Sequence, residues 1–439
     1  MLALEPSLVG AESMKKLTKT LSMVGVLLAA SENQAAASAF MVRENSSESI
    51  ATAYAGNASR ADDVATVFNN PAGMSWLAPG TQLEGGAAIV LPDMHFQGNA
   101  TIGAATLPGT NDRDIGQVAL IPHFYGVYDL NDRTTLGLAL TVPFGSTVDY
   151  GTAWPGRYVN VKTAAISIDV NPNISYKITD WLSVGGGFSY QYLRLELASD
   201  VAQSLIFGPK VADSEFVLNA ANWALGYNLG FVAEPMDGTR LGLSYRSGVS
   251  HHLHGSLRFS ANTSPLLGLS TAPAKSDIDL PGSVTASITQ QIAPNLSLSS
   301  DVQFTQWDVF KQVSVVAPPN PTFTFEEKYR DSWMASVGGE YQLNDTWNLR
   351  AGAGFDESPV IDAFRDTGVP DGDRYMIGFG PGIKLSDTTS LDAAYTHYFG
   401  GLASMNTSVN AVDPISGVVL HGRYNNSLNY LSMTYRATL

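Results

Sequence analysis

The 439-residue sequence predicts an all-β fold: a transmembrane antiparallel β-barrel of fourteen strands whose lumen is plugged by an N-terminal hatch. Three observations point there. The chain is 44% hydrophobic but only 15% charged, where soluble domains carry about 25% charged residues. Apolar and polar residues alternate with period two from Thr81 onward, and short connections alternate with long ones. Beyond the N-terminal segment no apolar run is long enough for a spanning helix, which needs about 20 residues. In hydrocarbon every backbone polar group must be satisfied internally, so a charge-poor exported chain without such a helix spans as a closed barrel.

Residues 1–37 read as leader and signal peptide. Met14-Lys15-Lys16-Leu17-Thr18-Lys19 is a basic stretch, Leu21 to Ala30 an apolar one, and Ala35-Ala36-Ala37 offers small residues for cleavage. Cleavage is expected after Ala37, leaving Ser38 as the mature N-terminus. Residues 38–78 are the expected hatch. They mix small and polar residues behind an apolar start (Phe40, Met41, Val42) and close on Asn69-Asn70-Pro71-Ala72-Gly73, a turn-forming run. Such a segment buries too little to fold alone and must be packed inside something larger.

Residues 79–439 supply the barrel. Strands are expected near 80–97, 113–129, 133–143, 161–178, 181–198, 219–234, 238–260, 277–293, 296–316, 323–343, 346–358, 373–386, 389–400 and 420–438. Tight turns such as Asn131-Asp132, Thr179-Asp180 and Asn344-Asp345 alternate with longer loops, the pattern of short periplasmic turns and long external loops. In the seventh strand Leu241, Leu243, Tyr245, Val249, Leu253, Leu257 and Phe259 fall on one face, with Gly242, Ser244, Arg246, Ser250, His252, His254 and Arg258 on the other. Strand 3 contains Pro143 and Gly145 around Phe144, where a proline without an N–H and a glycine mark an edge, bulge or kink. In strand 5, Leu182, Val184, Phe188 and Tyr190 share one phase while Leu193, Leu195 and Leu197 take the other. Either a bulge lies near Tyr192 or the lumen there is itself apolar.

Composition and spacing also exclude. Without cysteine there are no disulfides and no thiolate metal sites. A net charge of −15 argues against nucleic-acid partners. No serine is marked as a nucleophile beside a histidine, so no enzyme and no cofactor are expected. His252 and His254 fall on the face opposite His251, which argues against a shared metal ion.

Several motifs resemble one family. Ser38-Ala39-Phe40, Asn45-Ser46-Ser47, Ala53-Tyr54-Ala55-Gly56 and Ala61-Asp62-Asp63 precede Asn70-Pro71-Ala72. Some three hundred residues later come Phe355-Asp356-Glu357-Ser358-Pro359-Val360 and Val369-Pro370-Asp371-Gly372-Asp373-Arg374. Together with Ser299 to Val315, which holds Trp307 and Phe310, they resemble the long-chain fatty acid outer-membrane transporters and their relatives for aromatic hydrocarbons. The resemblance implies passive import of hydrophobic small molecules through the lipopolysaccharide leaflet of a Gram-negative outer membrane. It implies a hatch carrying Asn70, Pro71 and Ala72, a lumenal pocket touched by Phe40, and a lateral opening at Pro143, Phe144 and Gly145. It also places Arg194 and Arg330 at a cargo carboxylate, which an arginine fork recognises at two points. Two departures stand out: the chain ends in Leu439 rather than an aromatic residue, and the 199–218 loop is short for an external cargo groove. The alternatives are uptake of monoaromatic hydrocarbons, for which a headgroup arginine is unnecessary, and a structural or adhesive barrel whose loops bind an external partner.

Overall fold

The computed structural model describes residues 39–439 apart from Asp112, Pro414 and Ile415; the expected signal peptide and its cleavage point lie outside the described residues. Fourteen strands form the wall: β1 (Gln82–Ile102), β2 (Ala119–Asn131), β3 (Thr134–Thr141, then Gly145–Asp149), β4 (Lys162–Thr179), β5 (Leu182–Val201), β6 (Ser214–Met236), β7 (Thr239–Arg246, then Val249–Phe259), β8 (Ala272–Leu280, then Ser283–Ala293), β9 (Leu296–Thr305), β10 (Ser332–Gln342), β11 (Trp347–Asp356), β12 (Arg374–Ser386), β13 (Thr389–Ser404) and β14 (Val419–Thr438). Each pairs antiparallel with its neighbours in sequence. β1 pairs with β14 from Gln82↔Thr438 to Thr101↔Val419, which closes the ring. The tight turns all lie at one end, so "lower" below means the turn end and "upper" the loop end.

Two expectations are corrected. The strands expected at 296–316 and 323–343 are shorter: Gln312–Val315 and Phe323–Glu326 pair with each other as a separate upper hairpin. A 3-10 turn at Trp307–Val309 ends the first strand, and Pro318, Pro319 and Pro321 remove ladder donors from the connection. In β7 the single face from Leu241 to Phe259 does not hold. Leu241, Leu243 and Tyr245 face outward, whereas Val249, Leu253 and Leu257 are buried inward. Pairing with β6 slips by one residue between Asn228↔Arg246 and Ala221↔His254. The break at Ser247-Gly248 thus swaps the faces of everything above it.

In β5 the ambiguity resolves the other way. Its register with β4 runs without a slip past Tyr192, and Ser183, Ser189, Gln191, Leu193 and Leu195 all point inward. The strand keeps its phase while the lumen changes chemistry. Below, the outer face is apolar, with Phe188 and Leu225 each 72% exposed, as contact with hydrocarbon requires. Above, the outer face carries Arg194, His252, His254 and Arg258, and the leucines turn to the inside.

Residues 39–78 run through this lumen. Ser46 caps α1 (Ser47–Ala51) by accepting from the Ser49 amide, and α2 (Thr66–Asn69) leads into a 3-10 turn, Pro71–Trp76. Asn70 accepts from the Ala72 amide and donates to the Phe231 carbonyl of β6. The Ala72 carbonyl accepts from Ser175 of β4 and Ser183 of β5. Further round the ring, Ser59 meets Ser287 of β8, the Gly56 amide donates to Asp301 of β9, and the Tyr54 and Tyr398 hydroxyls lie 2.6 Å apart. Only a segment inside the barrel can touch strands on every side. At Gly242, Gly352 and Gly378 a Cβ would collide with hatch backbone at Ala58, Thr52 and Ile50, so these wall glycines serve close approach. Arg43 and Arg60 are 8% and 6% exposed; trypsin should therefore cut after them slowly in folded protein and rapidly after boiling. Equal rates would contradict an enclosed segment.

Candidate functional site

Where β5 to β8 turn apolar inside, they line a partly open pocket. Leu193 and Leu195 come from β5, Phe216 from β6 and Ile278 from β8; Phe310 and Val313 descend from the loop after β9. Phe40 forms part of the floor. Its ring lies 5.0 Å from Trp307, 5.3 Å from Phe310 and 5.9 Å from Phe144. Above, Tyr158, Phe259, Phe323 and Phe325 extend the space as an outer groove. Phe323 and Phe325 come from the hairpin that replaces the ends of the two over-long expected strands.

The paired motifs after β11 and before β12 hold the N-terminus in place. The Ala39 amide donates to Asp371, which also accepts from the Ser358 hydroxyl. Arg43 and Arg374 both reach Asp356 at 3.2 Å. Two loop segments far from the hatch in sequence therefore fix where Phe40 sits.

Beside the pocket the wall is incomplete. β2 pairs with β3 from Asn131↔Thr134 up to Phe124↔Leu140 and no further. Val142, Pro143 and Phe144 leave the ladder, and Gly145–Asp149 forms its continuous ladder with β4. The seam meets again at Gly116↔Val148, eight residues on along both strands (124 to 116, 140 to 148). The register is unchanged, so the interruption is a break in the ladder and not a bulge. The hatch supplies the missing partners: Met41 bridges Phe144, the Val42 amide donates to the Pro143 carbonyl, and the Gly145 amide donates to the Phe40 carbonyl. On the other side the Ser167 hydroxyl of β4 accepts from the Phe144 amide and donates to its carbonyl. The kink's polar groups are thereby satisfied without closing the seam. Ser146 borders both the pocket and a smaller adjoining space next to Val148.

Phe40, Pro143, Phe144 and Gly145 therefore converge, while Asn70, Pro71 and Ala72 anchor the hatch lower down. The two arginines do not join them. Arg194 alternates with Leu193 and Leu195 and so faces outward, held by Glu196 and Asn219 at 3.2 Å each. Arg330 is half exposed and bonded to Glu357 and the Ser358 carbonyl. Among the described residues no lysine or arginine lines the pocket; the charged groups there are Glu327 and Asp366. Glu327 is 2% exposed and its Oε2 has no hydrogen-bond partner. Burial holds this carboxyl well above the usual range, the neighbouring Asp366 adds to the shift, and Tyr329 opposes it. Burial also raises Asp366, to about 6, against the pull of the Val369 and Gly368 amides and Arg365. Sequence reading missed both, because one acid in a loop has no periodic signal. The histidines separate as expected: His251 bonds Asn222 and Gln191 inside, and His252 bonds Asp277 outside.

A closed barrel with an internal thread and an apolar lumenal pocket defines a class: outer-membrane channels for hydrophobic solutes. The chain belongs to the outer membrane protein transport protein family (OMPP1/FadL/TodX), whose model matches residues 27–439. It is a transporter of hydrophobic compounds in the outer membrane, not an enzyme. It is 26% identical to the long-chain fatty acid transport protein of Salmonella typhi, over 88% of this chain and 93% of that one. It is 30% identical to a putative outer membrane protein of Neisseria meningitidis, over 95% and 98%. A crystal structure of a Pseudomonas aeruginosa FadL homologue superposes with a TM-score of 0.83 at 25% identity, covering 91% of this chain and 99% of that one. The Pseudomonas putida toluene transporter TodX shares the fold, with a TM-score of 0.65 at 18% identity over 92% and 100%.

Proposed function

We propose that the protein takes up extended hydrophobic molecules passively and releases them sideways through the gap between β2 and β3. The observation that carries this reading is that one hatch segment, Phe40–Val42, both floors the pocket and supplies the backbone partners of the kink. Cargo reaching the floor presses on the residues that cover the gap. Transfer from water into the pocket gains roughly 25 cal/mol per Å² of apolar surface, and leaving into membrane hydrocarbon keeps that gain, so no energy source is required. Both fatty acids and toluene, named for relatives, suit such a route.

The absence of native cysteine makes a thiol test clean. In a Leu120→Cys variant, whose residue lies on the unpaired part of β2, a bulky methanethiosulfonate should cut uptake by about tenfold or more, and reductant should restore it. In a Ser75→Cys variant, labelled at the lower end of the hatch, uptake should stay near its unlabelled rate. The reverse pattern would mean that cargo passes straight down the lumen.

A further inference from the structure

Toward the loop end of β1, Asp93 and His95 share the outward face, since they alternate with Met94 and Phe96, which are buried inside. His95 Nε2 lies 2.9 Å from Asp93 Oδ1. Asp114, just ahead of β2, brings a second carboxylate, and one ligand atom from each of the three lies within 4.8 Å of the other two. Backbone bonds hold the two segments together here. The Ile115 amide donates to the Met94 carbonyl, and Asp114 Oδ1 accepts from the Met94 and Gly116 amides at 3.0 Å each. The Asp114 carboxylate is thereby fixed, with its other oxygen left for a further partner. Among the described residues neither aspartate pairs with a lysine or arginine; Arg113 pairs with Asp149, and Arg423 bonds Gln97. An imidazole and two carboxylates converging from two segments make a ligand set for a divalent metal ion. Atoms 2.9 Å apart match neighbouring ligands on one ion, whose bonds to nitrogen and oxygen are about 2.0–2.2 Å, and the ion replaces the proton they share. Two such bonds span at most about 4.2 Å; rotation of the Asp93 and His95 side chains, 65% and 41% exposed, closes the remaining distance. A second set, Glu48, Asp62 and Asp63, already surrounds the Arg60 guanidinium, so its charge is met within the protein.

We propose that Asp93, His95 and Asp114 form a binding site for a divalent metal ion of the zinc class on the outer face of the barrel, with its remaining coordination positions open to water. The imidazole sets the class, because Mg²⁺ and Ca²⁺ prefer oxygen ligands alone. The site does not depend on the uptake route. Bound metal ties β1 to the segment whose Gly116 meets Val148, where the β2–β3 seam resumes, and so clasps the wall at the upper end of that break.

The test is calorimetric titration of ZnCl₂ into the full-length purified barrel carrying no affinity tag, with binding expected to saturate in the micromolar range. Asp114→Asn keeps an oxygen to accept from the Met94 and Gly116 amides, so the backbone there stays in place. It should nevertheless weaken Zn²⁺ binding about tenfold or more, as should His95→Asn, with both variants still heat-modifiable. His252 provides the control. It makes a like pair with Asp277 at 2.7 Å, but among the described residues no second carboxylate joins it, so His252→Asn should bind Zn²⁺ as the wild type does. Absence of saturable Zn²⁺ binding overturns the site, as does binding that Asp114→Asn and His95→Asn both leave unchanged. Ca²⁺ binding as tightly as Zn²⁺ would overturn the assignment to a zinc-class ion.

Discussion

Replacing Glu48 with leucine is expected to leave the barrel closed but release the hatch. Glu48 lies in α1, inside the lumen and 3% exposed. Its Oε1 accepts from Arg350 of β11 at 2.9 Å and from Arg436 of β14 at 2.8 Å, and Arg60 of the hatch lies 3.8 Å from Oε2. The two wall arginines are also held by wall acids, Arg350 by Glu340 and Asp392 and Arg436 by Glu84. The wall is thus a preassembled charge frame into which the hatch inserts one carboxylate. Removing one partner of a buried ion pair costs about 3–5 kcal/mol. Here the loss falls on hatch docking, since the strand ladders do not involve the side chain. Glu48→Leu should still migrate as a heat-modifiable barrel, while trypsin cuts at Arg43 and Arg60 about a hundredfold faster or more. Unchanged protection would mean that apolar contacts and hydroxyl bonds hold the hatch without this charge.

The number of strands, their antiparallel order and the end at which the tight turns lie were all legible, because alternation is a local property repeated along the chain. Leu193, Leu195 and Leu197 announced an apolar lumen, although only the continuous register with β4 distinguishes that from a bulge. Face assignment failed in β7 for a related reason. A one-residue slip at Ser247-Gly248 is invisible when leucines continue at even spacing on both sides of it. The kink at Pro143 was readable from residue type alone, since proline lacks a ladder donor. That Phe40–Val42 would complete it was not, because the pairing joins segments about a hundred residues apart. The resemblance placed Arg194 at a cargo carboxylate, whereas its place between two inward leucines turns it outward, onto Glu196 and Asn219. The wall glycines were legible as composition but not as close approaches, which depend on where the hatch runs.

The largest effect on transport is expected from straightening β3. Since the β2–β3 register is the same below and above the gap, the seam can close without shifting any other strand. Pro143→Val restores a missing N–H, and Gly145→Thr favours the extended backbone of a strand. Closure also takes from Phe40–Val42 the carbonyl and amide they now bond, so the hatch loses its hold at the gap while Asn70 and Ala72 keep theirs below. The pocket walls on β5, β6 and β8 are untouched. The decisive measurement is uptake of a hydrophobic cargo by cells carrying Pro143→Val/Gly145→Thr, set beside equilibrium binding of the same cargo to the purified variant. Sideways release predicts binding within about twofold of wild type and uptake reduced about tenfold or more. A folded variant that binds and delivers cargo at the wild-type rate would contradict it.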